Sequence, residues 1–218
     1  MIRSPRSIPW EKNQRAAVTD TRMQDDESIL SDPNVWGPPL WDLMFTLAFH
    51  VPQTHVVVII DLFAHLEKVL PCQTCRRSYA IFRKQLAPLT TLRVTNTKAA
   101  EWLWSIHDMV NQKLGKPAIL YDKLELKHKC MTCIAHPMSA LDILRIMART
   151  VKARYVVDFG NTLVRAAGAC PGMERFAAAF AGKILSADCL HDTLFEAHNE
   201  LRPMYGMQII SRDAFDSM

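Results

Sequence analysis

The stretch "HLEKVLPCQTCRRSYAIF", residues 65–82, sets two cysteines three apart at a helix boundary. Apolar positions up to Leu70 predict a helix from His55 to Leu70, and Pro71 stops it. The spacing that follows predicts a new helix carrying Cys75 in its first turns and reaching Leu86. A Cys-x-x-Cys pair in such a place can hold a metal, staple the fold or exchange electrons. The surrounding sequence has to choose.

Outward from this pair the chain reads as helices. "SDPNVWGPPLW" opens one, with Ser31 or Asp32 as cap and Pro38 and Pro39 pre-setting the backbone before Leu40. Leu43, Met44, Leu47, Ala48 and Val51 recur at helical spacing until Pro52 ends it. Pro88 to Asn96 reads as a loop, Lys98 to Lys113 as a fourth helix, and Gly115 as its C-cap. Together these predict an all-α bundle of four helices over residues 31–125, with a polar arm at 1–30. Residues 126–137 read as a cysteine-bearing connector and 138–218 as a further helical domain, with helices at Ser139–Tyr155, Gly172–Leu185 and Cys189–Glu200. Its stripe of Leu141, Leu144, Met147 and Val151 is expected as core or interface.

Composition narrows the function. The 218 residues are 49% hydrophobic with only seven glycines, which suits a helical globular chain. A net charge of +4 spread along the chain argues against nucleic-acid binding. No apolar run reaches the length of a membrane helix, since Asp61 interrupts the longest, Val56 to Phe63. Residues 1–22 hold four arginines alongside Glu11 and Asp20, little support for a mitochondrial presequence, and no secretory core is visible. Six cysteines, Cys72/Cys75, Cys130/Cys133, Cys170 and Cys189, are too few for a disulfide scaffold and suit zinc or thiol redox chemistry.

A redox pair needs two nearby sulfurs, a stabilised thiolate and an electron acceptor. The helix start and the cations Arg76 and Arg77 can supply the second. The acceptor comes from a resemblance carried by three ordered segments: "WGPPLWDLMFTLAFHVP", "LPCQTCRRSY" and "WLWSIHDMVNQKLGKP". Over residues 35 to about 121 they resemble the FAD-linked sulfhydryl oxidases of the Erv/ALR type, whose flavin-binding helix reads HNxVNxxLGKP. The resemblance implies a four-helix bundle with a short fifth helix holding FAD non-covalently, and a reaction in which substrate thiols become a disulfide while oxygen becomes hydrogen peroxide. It implies Cys72 as the outer sulfur, exchanging with protein thiols or a thioredoxin-like relay, and Cys75 as the inner sulfur beside the flavin. It also places Gly37, Trp41, Phe45, His107, Asp108, Val110, Asn111, Lys113, Leu114 and Lys116 at flavin-contact positions, and implies a homodimer built through bundle helices. His107 and Asn111, four apart, are expected to face one ligand.

Three departures stand out. Phe45 replaces the family's histidine, trading a polar contact for ring packing; Asp108 replaces an amide with a carboxylate. The long-spaced cysteine staple that many cellular members carry after the flavin helix is missing, as it often is in viral relatives. That points to a virus-encoded enzyme in host cytoplasm or virion; a cellular one would sit in the mitochondrial intermembrane space. Cys130 and Cys133 can be a shuttle to Cys72, a local staple, or zinc ligands with His128 and His136, and all three stay open. No metal is assigned. Cys170 and Cys189 read as free buried thiols, and Trp102 and Trp104 as core. The rivals to the oxidase are a zinc-binding interaction module using both cysteine pairs and a degenerate member that has lost FAD. A flavin-free thioredoxin-like reductase is disfavoured, because few strands are predicted.

Overall fold

The computed structural model describes residues 30–89, 94–129, 136–183 and 185–218. Among these residues the secondary structure is helical, without strands. The first helix, α1, spans Pro33–His50. Asp32 caps it, its carboxylate accepting from Asn34 N–H at 2.9 Å, and Pro33 takes a first-turn position where an amide proton is dispensable. Helix formation thus begins before Pro38 and Pro39, which lie inside its opening turns.

A short 3₁₀ turn at Gln53–His55 leads into α2, Val56–Val69. The redox pair opens α3, Gln73–Gln85, and α4 runs over Asn96–Lys113. Thr95 caps α4, and the Asn96 amide donates to the carbonyls of Ala48 and Val51, tying the start of α4 to the end of α1. A fifth helix, α5, covers Tyr121–Lys129, so the first four residues of the expected connector are its last turn. Its hold on the bundle comes from buried Leu124 and His128.

The C-terminal half differs from the sequence reading. The helix expected over Ser139–Tyr155 is α6, Pro137–Thr150, ended by an extended Val151 and Lys152, and a further helix that the sequence reading did not include, α7, follows over Ala153–Gly168. Only α8, Glu174–Ala178, remains of the expected Gly172–Leu185 helix; Gly172 and Gly182 both take positive φ, which breaks it into turns. Then come α9, Leu190–Met204, and α10, Arg212–Ser217.

The core does not divide at residue 138. One cluster of buried side chains runs from Trp36 through Leu103 and Leu144 to Phe215. Helix α7 packs along α2, and α6 lies against α1. This explains the all-round apolar character of α2: Ile59, Leu62, Phe63 and Leu66 are buried, with Val58 and Ile60 packed against the same core. Gly160 of α7 makes room for Leu185, since an added Cβ would stand 3.1 Å from a methyl of that side chain. No single described helix is long and apolar enough to cross a membrane.

Candidate functional site

Cys72 is the N-cap of α3. Its sulfur accepts the backbone N–H of Cys75 at 3.2 Å, so one turn of helix holds the two thiols together. Both are half-buried and both are free thiols here. The Arg76 guanidinium reaches back to the carbonyls of Leu70 and Pro71, bracing the turn that delivers Cys72. Deeper in α3, buried Tyr79 donates to the Phe63 carbonyl at 2.8 Å and pins the helix to α2.

The sequence suggested that cations would lower the Cys75 thiol. Burial outweighs them: the thiol is pushed up to about 12, first by desolvation, then by its hydrogen bond to Cys72 and that neighbour's charge. Lys113 and Arg76 pull the other way without prevailing. Lys113 comes from α4 and its ammonium sits 2.5 Å from the Ser78 hydroxyl on α3. The reduced pair therefore keeps a proton on Cys75 Sγ at neutral pH.

A cavity of about 230 Å³ opens between α1, α4 and α5. Trp41, Phe45 and His107, all expected at the cofactor site, line it. Trp41 stacks on His107 with ring centroids 4.2 Å apart, and Phe45 lies 5.9 Å from the same imidazole. From α5 comes His128, only 2% exposed, its ring 5.3 Å from Phe45. Its Nε2 stands 3.5 Å from an Asp42 carboxylate oxygen that Lys127 also contacts, at 2.6 Å. His107 Nδ1 and His128 Nδ1 are buried without a hydrogen-bond partner. Burial, the largest cause for each, lowers both imidazoles to about 4, so they stay neutral near pH 7.

The other expected cofactor residues fall elsewhere. Gly37 lies one turn before Trp41, buried, yet an added Cβ there would meet nothing within 4 Å. Asp108 accepts from Gln112 at 2.7 Å through one oxygen, while the other is buried without a partner. Asn111 does not face the cavity beside His107: its amide turns to the Pro117 carbonyl at 3.5 Å, and its own carbonyl accepts the Lys116 N–H at 2.9 Å. Val110 is half-buried, and Leu114 and Lys116 are exposed at the end of α4. Gly115, with φ of 65°, turns the chain there, in keeping with its expected C-cap role.

Asp42, Lys123, Lys127 and His128 were not assigned to this cavity from sequence. His128 was weighed only as a zinc ligand beside Cys130, and the packing turns it inward instead. His136, the other proposed ligand, accepts the Met138 N–H through Nδ1 to cap α6. Cys130 and Cys133 lie outside the described residues. Among the described ones no cluster of three metal-ligating side chains occurs. Cys170 is buried and pushed up to about 12 by desolvation. Cys189 departs from expectation: it is half-exposed, and hydrogen bonds with Ser186 and Thr193 lower its thiol. Trp102 stacks on Phe63 at 5.8 Å, while the Trp104 indole donates to the Ile119 carbonyl at 2.7 Å.

Compared with known families, residues 38–133 match the model of the Erv1/Alr family, a little under half of the chain. This segment is similar to the Erv1/Alr family. No curated protein and no solved structure matched the chain. The Erv1/Alr segment runs from the opening turns of α1 past the end of α5, so it contains both the thiol pair and the cavity. Sulfhydryl oxidation is the activity of this family, and its members generally bind FAD.

The Erv1/Alr cavity suits a flat heteroaromatic ring. It offers aromatic walls and two neutral imidazoles with unpaired nitrogens. Lys123 and Lys127 line it and bring positive charge, Lys127 being paired with Asp42. Its volume takes the ring end of a dinucleotide rather than the whole, and the Trp41–His107 stack leaves no ring space between those two side chains.

Proposed function

We propose that the protein is an FAD-dependent thiol oxidase that forms disulfides in protein substrates and reduces oxygen to hydrogen peroxide. The observation carrying this reading is the capped Cys72–Cys75 turn inside an Erv1/Alr segment. In the oxidised enzyme the two sulfurs form a disulfide. A substrate thiolate attacks Cys72 Sγ, the S–S bond breaks, and Cys75 leaves with the electron pair. The second substrate thiol attacks the mixed disulfide, releasing oxidised substrate and the Cys72 thiolate. Two protons and two electrons have then moved from substrate to enzyme.

The chain's own groups shape these steps. Lys113 and Arg76 favour Cys75 as leaving group, and burial then returns a proton to Cys75 Sγ. Handing on the electrons requires that proton to leave again. Trp41, Phe45, His107 and His128, with Lys113 and Lys116, would hold FAD, which would supply there a two-electron acceptor that oxygen regenerates. The neutral imidazoles can each donate or accept a hydrogen bond without adding charge.

The deciding experiment is the visible spectrum of the purified full chain, before and after anaerobic dithiothreitol. A yellow spectrum that bleaches and returns with air, with peroxide formed, supports the oxidase. A colourless protein that contains zinc and unfolds with chelators overturns it in favour of a metal-held interaction module.

A further inference from the structure

Between the end of α2 and α3 the structure forms a second hollow, of about 330 Å³, lined by Glu67, Lys68, Arg76, Arg77, Ala80 and Lys84. Helical spacing brings Arg76, Arg77 and Lys84 to one side of α3 around Ala80, and the end of α2 supplies Lys68. Four cations face one carboxylate, and that carboxylate is turned to Arg83 at 2.9 Å. The chain's whole net charge is only +4, so this is a local concentration of positive field. Arg76 joins the hollow to the thiol pair: the same guanidinium that lines it holds the Leu70 and Pro71 carbonyls immediately before Cys72.

We infer that this hollow docks an acidic segment of the polypeptide whose thiols exchange with Cys72. The inference rests on the thiol-oxidase reading and adds the substrate class to it. A polypeptide presenting cysteines to Cys72 must lie across the start of α3, and glutamates or aspartates beside those cysteines then meet Arg77, Lys84 and Lys68. Nucleic acid fits less well, because the lining has no aromatic ring on which a base can stack. Opposite charge raises the encounter rate and fixes the register in which the substrate sulfur approaches. The sulfur chemistry is unchanged: one substrate disulfide forms as the Cys72–Cys75 disulfide is reduced.

The test compares two dithiol peptides with the same cysteine pair, one flanked by glutamates and the other by glutamines, oxidised by the full chain. The acidic peptide should have a kcat/KM about tenfold higher at low salt, a preference that fades in high salt. In a Lys68→Gln/Lys84→Gln double variant the ratio should collapse towards unity, and in Lys68→Glu/Lys84→Glu it should invert. Equal use of both peptides by the unmodified protein, or a preference surviving in both variants, overturns the inference. Dithiothreitol separates the two readings, since it carries no charge to dock. If it is oxidised and peptide charge is ignored, the docking surface alone is wrong. If dithiothreitol is not oxidised, the oxidase reading fails, and docking is judged by anisotropy of a labelled cysteine-free acidic peptide. Tenfold weaker binding to the double variant upholds docking, and no binding to either protein overturns it. Binding of a single-stranded oligonucleotide but not of the acidic peptide assigns the hollow to nucleic acid.

Discussion

The backbone N–H of Cys75 donates to the sulfur of Cys72 at 3.2 Å, so the outer cysteine caps the helix that carries the inner one. Exchange at Cys72 and the start of α3 are therefore mechanically coupled. Serine at position 72 keeps a capping acceptor but removes the neighbouring thiol. In Cys72→Ser the hydrogen bond and charge from Cys72 no longer raise the inner thiol, while Lys113 and Arg76 still lower it. Cys75 should then titrate below about 12, read as thiolate absorbance against pH. An unchanged titration would mean that burial alone sets the value.

Lys113→Gln acts in the opposite direction. It removes one of the two cations that oppose the rise at Cys75 and breaks the contact with Ser78. The Cys75 thiol should rise further, and reduction of the enzyme disulfide by dithiothreitol should slow, because the leaving sulfur is less stabilised. Stopped-flow reduction at fixed pH measures it, and an equal or faster rate would remove Lys113 from this role.

Stability should fall in mild acid. In the folded protein His107 and His128 resist protonation until about pH 4, whereas an exposed imidazole takes its proton near pH 6.5. Between those values the unfolded chain binds more protons, so stability present above pH 6.5 is lost as pH falls towards 4. Denaturant midpoints at pH 7 and pH 5 should differ in that direction. His128→Phe should reduce the difference, and an identical slope in that variant would refute the assignment.

Tyr79→Phe deletes the buried hydrogen bond between α3 and α2. A loss of about 1 kcal/mol is expected, read from the urea midpoint at constant slope. No loss would mean that the bond is replaced in the variant.

The cysteine-bearing helix and its neighbour α4 were legible because strong punctuation marks them: Pro71 before one and Gly115 after the other. The boundary at Val151 and Lys152 was not, since neither glycine nor proline marks it. Yet α7 carried a readable period in Val156, Phe159, Leu163 and Ala166, all buried. The cavity was legible on α1 and α4, where motif and spacing agree. Its α5 wall was not. In "KLELKHK" charged residues dominate, and only packing decides that His128 turns inward against Phe45 while Lys127 turns to Asp42. Asn111 shows the converse: correct spacing to His107, but a side chain claimed by the Pro117 carbonyl.

Ending the chain at residue 135 would strip α6 and α7 from α1 and α2 and uncover the apolar faces those helices pack against. Each buried aliphatic side chain stabilises by roughly 1.5–3 kcal/mol. The fragment should aggregate or lose its near-ultraviolet circular dichroism. A monomeric fragment with sharp unfolding would contradict the continuous core.

A bare helical bundle with apolar outer faces ordinarily hides them against another copy of itself, at a cost in concentration dependence. Here α6 and α7 cover α1 and α2 from within the same polypeptide. The second half of the chain does for the first what a sister molecule does elsewhere. Shielding of those two faces is settled when one molecule folds, and dilution cannot undo it.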